Sequence, residues 1–167
     1  PLNNPDGFFY FSNGTWLNYN QTGGQRTRPL PVARDLVDVT FDPGQNIYYF
    51  ASFGSGLIGW EPDAGFSTYP GSSLLPFQGQ DGPLLVNAVD VGIPGEVWMI
   101  NFNSDLPVHR LKDDQDWTAF PVSEGRFGLD ILVIGNGDVW NLLSPSSGGG
   151  ILVDNSTSGA MTRHGQT

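Results

Sequence analysis

The feature that most constrains this chain is an internal repeat: short apolar runs return in one order, three times over, at a spacing of roughly 40–50 residues. The first set is 35–42 (DLVDVTFD), 46–51 (NIYYFA), 56–60 (GLIGW) and 66–69 (FSTY). The second is 85–91, 96–101, 106–111 and 117–120, and the third is 129–134, 138–143, 150–153 and 161–164. Each run is rich in Val, Ile, Phe, Tyr and Trp and is bounded by turn residues, the pattern of a short strand. Tyr48, Trp98 and Trp140 take matching places in the second runs, 50 and 42 residues apart. Leu57 and Phe66, Val108 and Trp117, and Leu152 and Met161 are each nine residues apart, as matched hairpins require. No window longer than ten residues keeps helical periodicity without a Gly or Pro intervening.

The N-terminus carries half a unit. Residues 7–12 (GFFYFS) and 15–19 (TWLNY) flank Asn13-Gly14, a pair suited to a two-residue type I′ hairpin, in which both turn positions need positive φ. Trp16 then aligns with Phe66, Trp117 and Met161 at spacings of 50, 51 and 44. Four-stranded units of this length are the mark of a β-propeller. The expected fold is all-β: a propeller segment of four-stranded antiparallel blades, about three and a half of them. Its parts are a half blade over 1–20 (third and fourth strands) and blades over 33–70, 84–121 and 127–167. A blade is apolar on both faces and cannot bury them alone, so neighbours must stack on it. The repeat aromatics Trp16, Tyr48, Phe66, Trp98, Trp117 and Trp140 are expected to fill the wedges between blades. Fourteen strands fall short of the usual closed ring, so the chain reads as part of a larger propeller. The competing fold is a β-sandwich.

Composition narrows the partners. The net charge is −10, with a single Lys (Lys112) and six Arg, which argues against nucleic acid because phosphate contacts need clustered cations. There is no Cys, hence no disulfide, thiol chemistry or thiolate metal site. No apolar run approaches membrane-spanning length.

Candidate chemistry is sparse. His109 and His164 belong to no spaced metal motif, and His109 reads as an ordinary strand residue. Asp113, Asp114 and Asp116 lack the alternation and glycine of a calcium loop and read as a solvated turn. Asp38, Asp42, Asp90 and Asp130 fall on first strands, which line a propeller's channel, and a sugar-cleaving pair is one reading of them. Asp42, before Pro43-Gly44, reads as a turn acceptor. Asn13-Gly14-Thr15, Asn20-Gln21-Thr22 and Asn155-Ser156-Thr157 fit the N-glycosylation pattern. Trp60 stands outside the repeat-matched positions and is expected to pack. No catalytic, metal or cofactor residue is assigned.

Five stretches carry a family resemblance. These are 36–76, with its FDP turn at Phe41–Pro43, its YYFASFGSGL core at 48–57 and the Tyr69 to Leu74 segment; 95–101 (GEVWMIN) with 116–122 (DWTAFPV); and 135–143 (GNGDVWNLL) with 148–155 (GGGILVDN). The chain resembles the two-component-regulator-type propellers of Bacteroidetes-like bacteria and, among them, the PorZ-like β-propeller proteins of the type IX secretion system. The resemblance implies a full protein of two seven-bladed propellers and a C-terminal β-domain, exported to the cell surface or outer membrane. It implies a non-catalytic binding or scaffold role beside the sortase-like complex that attaches cargo to anionic lipopolysaccharide, with those proteins or that glycan as partners. The alternative it allows is a periplasmic propeller of a hybrid two-component regulator that recognises oligosaccharides. It brings no cofactor.

Overall fold

The computed structural model describes residues 4–21, 27–31, 33–69, 83–113, 116–122, 127–155 and 160–165. Among them, apart from a 3₁₀ turn over Pro145–Ser147 and 3₁₀ backbone at Phe127, the regular structure is all β. The half blade holds β1 (Phe8–Ser12), β2 (Thr15–Asn20) and β3 (Thr27–Pro29). Blade A holds β4 (Leu36–Asp42), β5 (Ile47–Gly54), β6 (Gly56–Glu61) and β7 (Gly65–Tyr69). Blade B holds β8 (Leu84–Ile93), β9 (Glu96–Asn101), β10 (Val108–Lys112) and β11 (Asp116–Phe120). Blade C holds β12 (Gly128–Val133), β13 (Val139–Leu143), β14 (Ile151–Asn155) and β15 (Ala160–His164).

Within each blade successive strands pair antiparallel, first with second, second with third, third with fourth. The β1–β2 turn is the type I′ expected of Asn-Gly, with φ of 49° at Asn13 and 75° at Gly14. Two features go beyond the repeat. β3 adds to β2 in parallel, ending in Pro29, a residue suited to an edge because it cannot donate to a ladder. The sheets of blades A and B also join at one corner, where Phe53 and Gly54 of β5 pair with Leu85 and Leu84 of β8.

The register corrects the sequence alignment by one residue. Each first strand carries a β-bulge at the same place, between Leu36 and Asp38, Val86 and Ala88, and Gly128 and Asp130. Matching the bulges sets Ala51, Ile100 and Leu142 in equivalent positions, so Tyr49, not Tyr48, is the counterpart of Trp98 and Trp140. A one-residue shift along a strand moves a side chain to the opposite face. Tyr48 therefore faces the half blade beside Trp60 (5.3 Å between rings), while Tyr49 faces blade B. Phe66, Trp117 and Met161 do match in register, opposite Trp60, Leu111 and Asp154. The third hairpin is one residue longer, so Ile151, not Leu152, corresponds to Leu57 and Val108.

Three buried clusters lie between neighbouring blades. Phe8, Tyr10 and Tyr19 of the half blade meet Phe50, Ile58 and Trp60 of blade A. Ile47, Tyr49 and Leu57 of blade A meet Val97, Met99 and Leu111 of blade B. Trp98, Ile100 and Val108 of blade B meet Val139, Leu143 and Leu152 of blade C. β9 supplies both of its faces, Val97 and Met99 to one cluster and Trp98 and Ile100 to the next. Trp60, outside the repeat-matched set, is 2% exposed. Two of the expected wedge residues are not wedged within the chain: Trp16 (63% exposed) and Trp140 (38%) lie on the outward faces of the half blade and blade C.

Candidate functional site

The first strands β4, β8 and β12 lie side by side, and their acids are clamps. Asp38 accepts from Val39 N (2.8 Å) and, across the blade boundary, from Val89 N (3.0 Å). Asp90 accepts from Val91 N (2.8 Å) and Thr40 Oγ1 (3.2 Å), and from Val133 N of blade C (2.7 Å). Asp42 closes the β4–β5 turn through Gly44 N (2.7 Å) and Gln45 N (3.1 Å), the turn role read from sequence. Its second oxygen takes Gly95 N of blade B at 2.6 Å. Asn87 Nδ2 donates to Gly128 O (2.9 Å). Neighbouring first strands thus do not form a ladder; side chains bridge them to backbone amides and carbonyls. Close approach demands glycine here: a Cβ on Gly44 would lie 2.3 Å from Pro94, and one on Gly92 2.3 Å from Val133.

Burial raises the carboxyl of Asp38; the two amides oppose this, and the charges of Asp130 and Asp90 add to it. Three acids therefore share one electrostatic neighbourhood along the inner strands. Asp130 is exposed and accepts from its own neighbour, Ile131 N, at 2.9 Å. Oxygens occupied by amides fit a structural part better than the acid and base of glycoside cleavage.

A second place collects polar groups in an apolar setting. Between blades B and C lies a cleft of about 350 Å³, walled by Trp98, Phe120, Val133 and Val139. Trp98 stacks on Phe120 (5.2 Å, 23°) and donates from Nε1 to Glu96 at 2.8 Å. Arg110 sits 5.6 Å from the Trp98 ring, 3.9 Å from Glu96 and 3.3 Å from Thr118 Oγ1. Across the cleft is Asp154, 9% exposed. Its Oδ1 and the Nε of Arg110 are buried without a hydrogen-bond partner. Burial raises the Asp154 carboxyl, and Asp138 adds to the effect.

The register shows where this polarity comes from. Glu96, Arg110 and Asp154 occupy the places that Ile47, Gly59 and Leu111 hold at the boundary of blades A and B. There the space is filled: Tyr69 covers Gly59, leaving 2.9 Å to the position a Cβ would take. The sequence contained this signal, but aligning Leu152 with Leu57 and Val108 hid it by pairing Asp154 with Gly59 and Arg110.

The remaining sequence candidates are scattered. His109 is fully buried on β10 with its ring 6.4 Å from Trp117, and neither ring nitrogen has a well-formed hydrogen bond. Burial pushes its pKa down to about 4, with the Leu106 carbonyl opposing weakly. His164 is exposed at the end of β15. Asp113 sits in the β10–β11 turn at a φ of 48°, its N–H donating to Gly95 O (3.0 Å), and Asp116 is exposed at the start of β11. Asp114, Thr22, Ser156, Thr157 and the segment from Ser72 to Leu74 lie outside the described residues. Asn13 and Thr15 are exposed at their hairpin tip. Among the described residues, no group of three or more acidic, His or Cys side chains is arranged to hold a metal, and no helix is long and apolar enough to cross a membrane.

No family model matches the chain, and no curated protein matches it. Solved structures do. PorZ, an essential bacterial surface component of the type IX secretion system of Porphyromonas gingivalis, matches over 90% of this chain and 22% of its own, with TM-score 0.62 and 18% identity. The extracellular domain of a hybrid two-component system of B. thetaiotaomicron matches over 96% and 22%, with TM-score 0.69 and 13% identity. A catalytically inactive virginiamycin B lyase of Staphylococcus aureus with quinupristin matches over 90% and 45%, with TM-score 0.65 and 17% identity. The chain spans about a fifth of the length of the first two. It has the propeller fold, here as a partial ring.

Proposed function

We propose that this chain is part of a propeller in an exported surface protein of the type IX secretion machinery, serving as a non-catalytic binding or scaffold segment. The observation that supports it is the match to the PorZ propeller over 90% of the chain, in the family to which the FDP turn and the YYFASFGSGL core also point. The inner acids, tied to amides across blade boundaries, suit a rigid scaffold. The partners in this reading are proteins of the sortase complex or the lipopolysaccharide glycan they use.

The test is cross-linking on intact cells that make the full-length protein, followed by its purification and identification of what is bound. Recovery of sortase-complex proteins or of surface lipopolysaccharide is the expected result, and a protein held with a cytoplasmic kinase segment overturns it. The second reading is the ligand-sensing propeller of a two-component regulator, supported by the match over 96% of the chain to such an extracellular domain. It predicts an oligosaccharide-dependent change in transcription that is lost when the propeller is deleted.

A further inference from the structure

The cleft between blades B and C is a hole that the repeat does not require. At the equivalent boundary of blades A and B, Ile47, Leu111 and Tyr69 close the space, and Leu111 is 1% exposed. Here Asp154 takes Leu111's place, Arg110 that of Gly59 and Glu96 that of Ile47, and the boundary holds a cavity of about 350 Å³, the size of a small-molecule pocket. A buried carboxylate oxygen without a donor is costly, as is a buried guanidinium N–H without an acceptor. Both borders of the cleft thus carry a charged side chain that the protein leaves incompletely hydrogen-bonded, a carboxylate on one side and a guanidinium on the other.

Charge selects among occupants. Glu96 already faces Arg110, so the guanidinium is balanced. Asp154, with Asp138 near it, leaves the cleft net negative. An anion is disfavoured and a cation that donates is favoured. The stacked Trp98–Phe120 pair with Val133 and Val139 offers an apolar wall for the ligand's carbon frame.

We propose that this cleft binds a small primary amine carrying a hydrogen-bond acceptor on the adjacent carbon, a vicinal amino alcohol. Its ammonium meets the Asp154 carboxylate, its acceptor meets the Arg110 guanidinium, and its carbon frame lies against Trp98 and Phe120. An amino sugar and an aliphatic amino alcohol share this chemistry.

The experiment is titration of this chain with glucosamine, glucose and leucinol, followed by calorimetry and by the Trp98 indole N–H resonance. Glucosamine or leucinol is expected to bind saturably and to move the Trp98 signal, with glucose at least about tenfold weaker, the value of one charge-assisted hydrogen bond. Tighter binding of glucosamine assigns the site to amino sugars, and tighter binding of leucinol to aliphatic amino alcohols. Asp154→Asn is expected to weaken the amine about tenfold, and Asp154→Leu, which restores the residue of the other boundary, to abolish it. Absence of saturable binding by both amines, glucose binding as tightly as glucosamine, or saturable binding that leaves the Trp98 resonance in place overturns the proposal; so does unchanged affinity in a folded Asp154→Asn protein. Should that variant not fold, the glucose comparison and the Trp98 signal decide on the wild-type chain. The assay uses purified chain and small probes, so its outcome is independent of whether the protein serves in secretion.

Discussion

The boundary between blades A and B and the boundary between blades B and C are built from the same strand positions, yet one is a dry core and the other holds a polar cleft. At the first, Ile47, Tyr49, Leu57, Val97, Met99 and Leu111 are all under 10% exposed and interdigitate. At the second, Trp98, Ile100, Val108, Val139 and Leu152 keep the inner part closed. Its outer part carries Glu96, Arg110 and Asp154, and Asn141, in the place of Met99, is buried with neither amide atom partnered. A repeat fold tolerates this difference because each blade's stability is shared with two neighbours, so one apolar boundary can hold a blade whose other boundary is given to polar groups. Blade B is that blade: one face of β9 packs against each neighbour.

The contrast is open to exchange of residues. Leu111→Asp carries Asp154's identity into the dry boundary, where there is no cleft to solvate it; a loss of about 4 kcal/mol or more is expected in urea unfolding followed by circular dichroism. A loss under about 1 kcal/mol would show that the two boundaries are not distinct in kind.

His109, on the blade A side of β10, gives that boundary a pH dependence. The unfolded imidazole takes a proton near pH 6.5 and the folded one only near 4, so the unfolded state binds more protons in between. Stability from this group is complete above about 6.5 and falls as pH drops toward 4, by about 3 kcal/mol at the lower end. His109→Leu, the residue type at the equivalent position 152, should flatten this stretch of the stability curve. An unchanged slope in the variant would mean that the imidazole gains a partner on protonation.

Asp42→Ala removes the acceptor of three N–H groups, one of them on blade B, and is expected to cost about 2 kcal/mol. Asp154→Leu should go the other way, gaining about 1 kcal/mol by removing a buried carboxylate, as read by thermal unfolding. The smallest effect belongs to the inner acids: Asp130→Asn removes a like charge near Asp38, so the Asp38 titration midpoint followed by NMR should move down.

The sequence by itself determined the strands of the repeat, though not β3, how they pair into hairpins, and that the units stack. Alternating apolar residues, Asn-Gly at the first turn and the return of aromatic residues at near-constant spacing are local properties, and they survive in one dimension. The acid at Asp42 was legible as a turn acceptor for the same reason. Only the tertiary structure decided which face each residue takes. One extra residue in the first hairpin of blade A, between Asp38 and its partner Ala51, and one in the last hairpin of blade C shift the pattern by one, and because side chains alternate with a period of two, that shift exchanges inside for outside. Tyr49 rather than Tyr48 therefore meets blade B, and Asp154 stands where Leu111 and Trp60 stand, a placement fixed by which residues hydrogen-bond between strands.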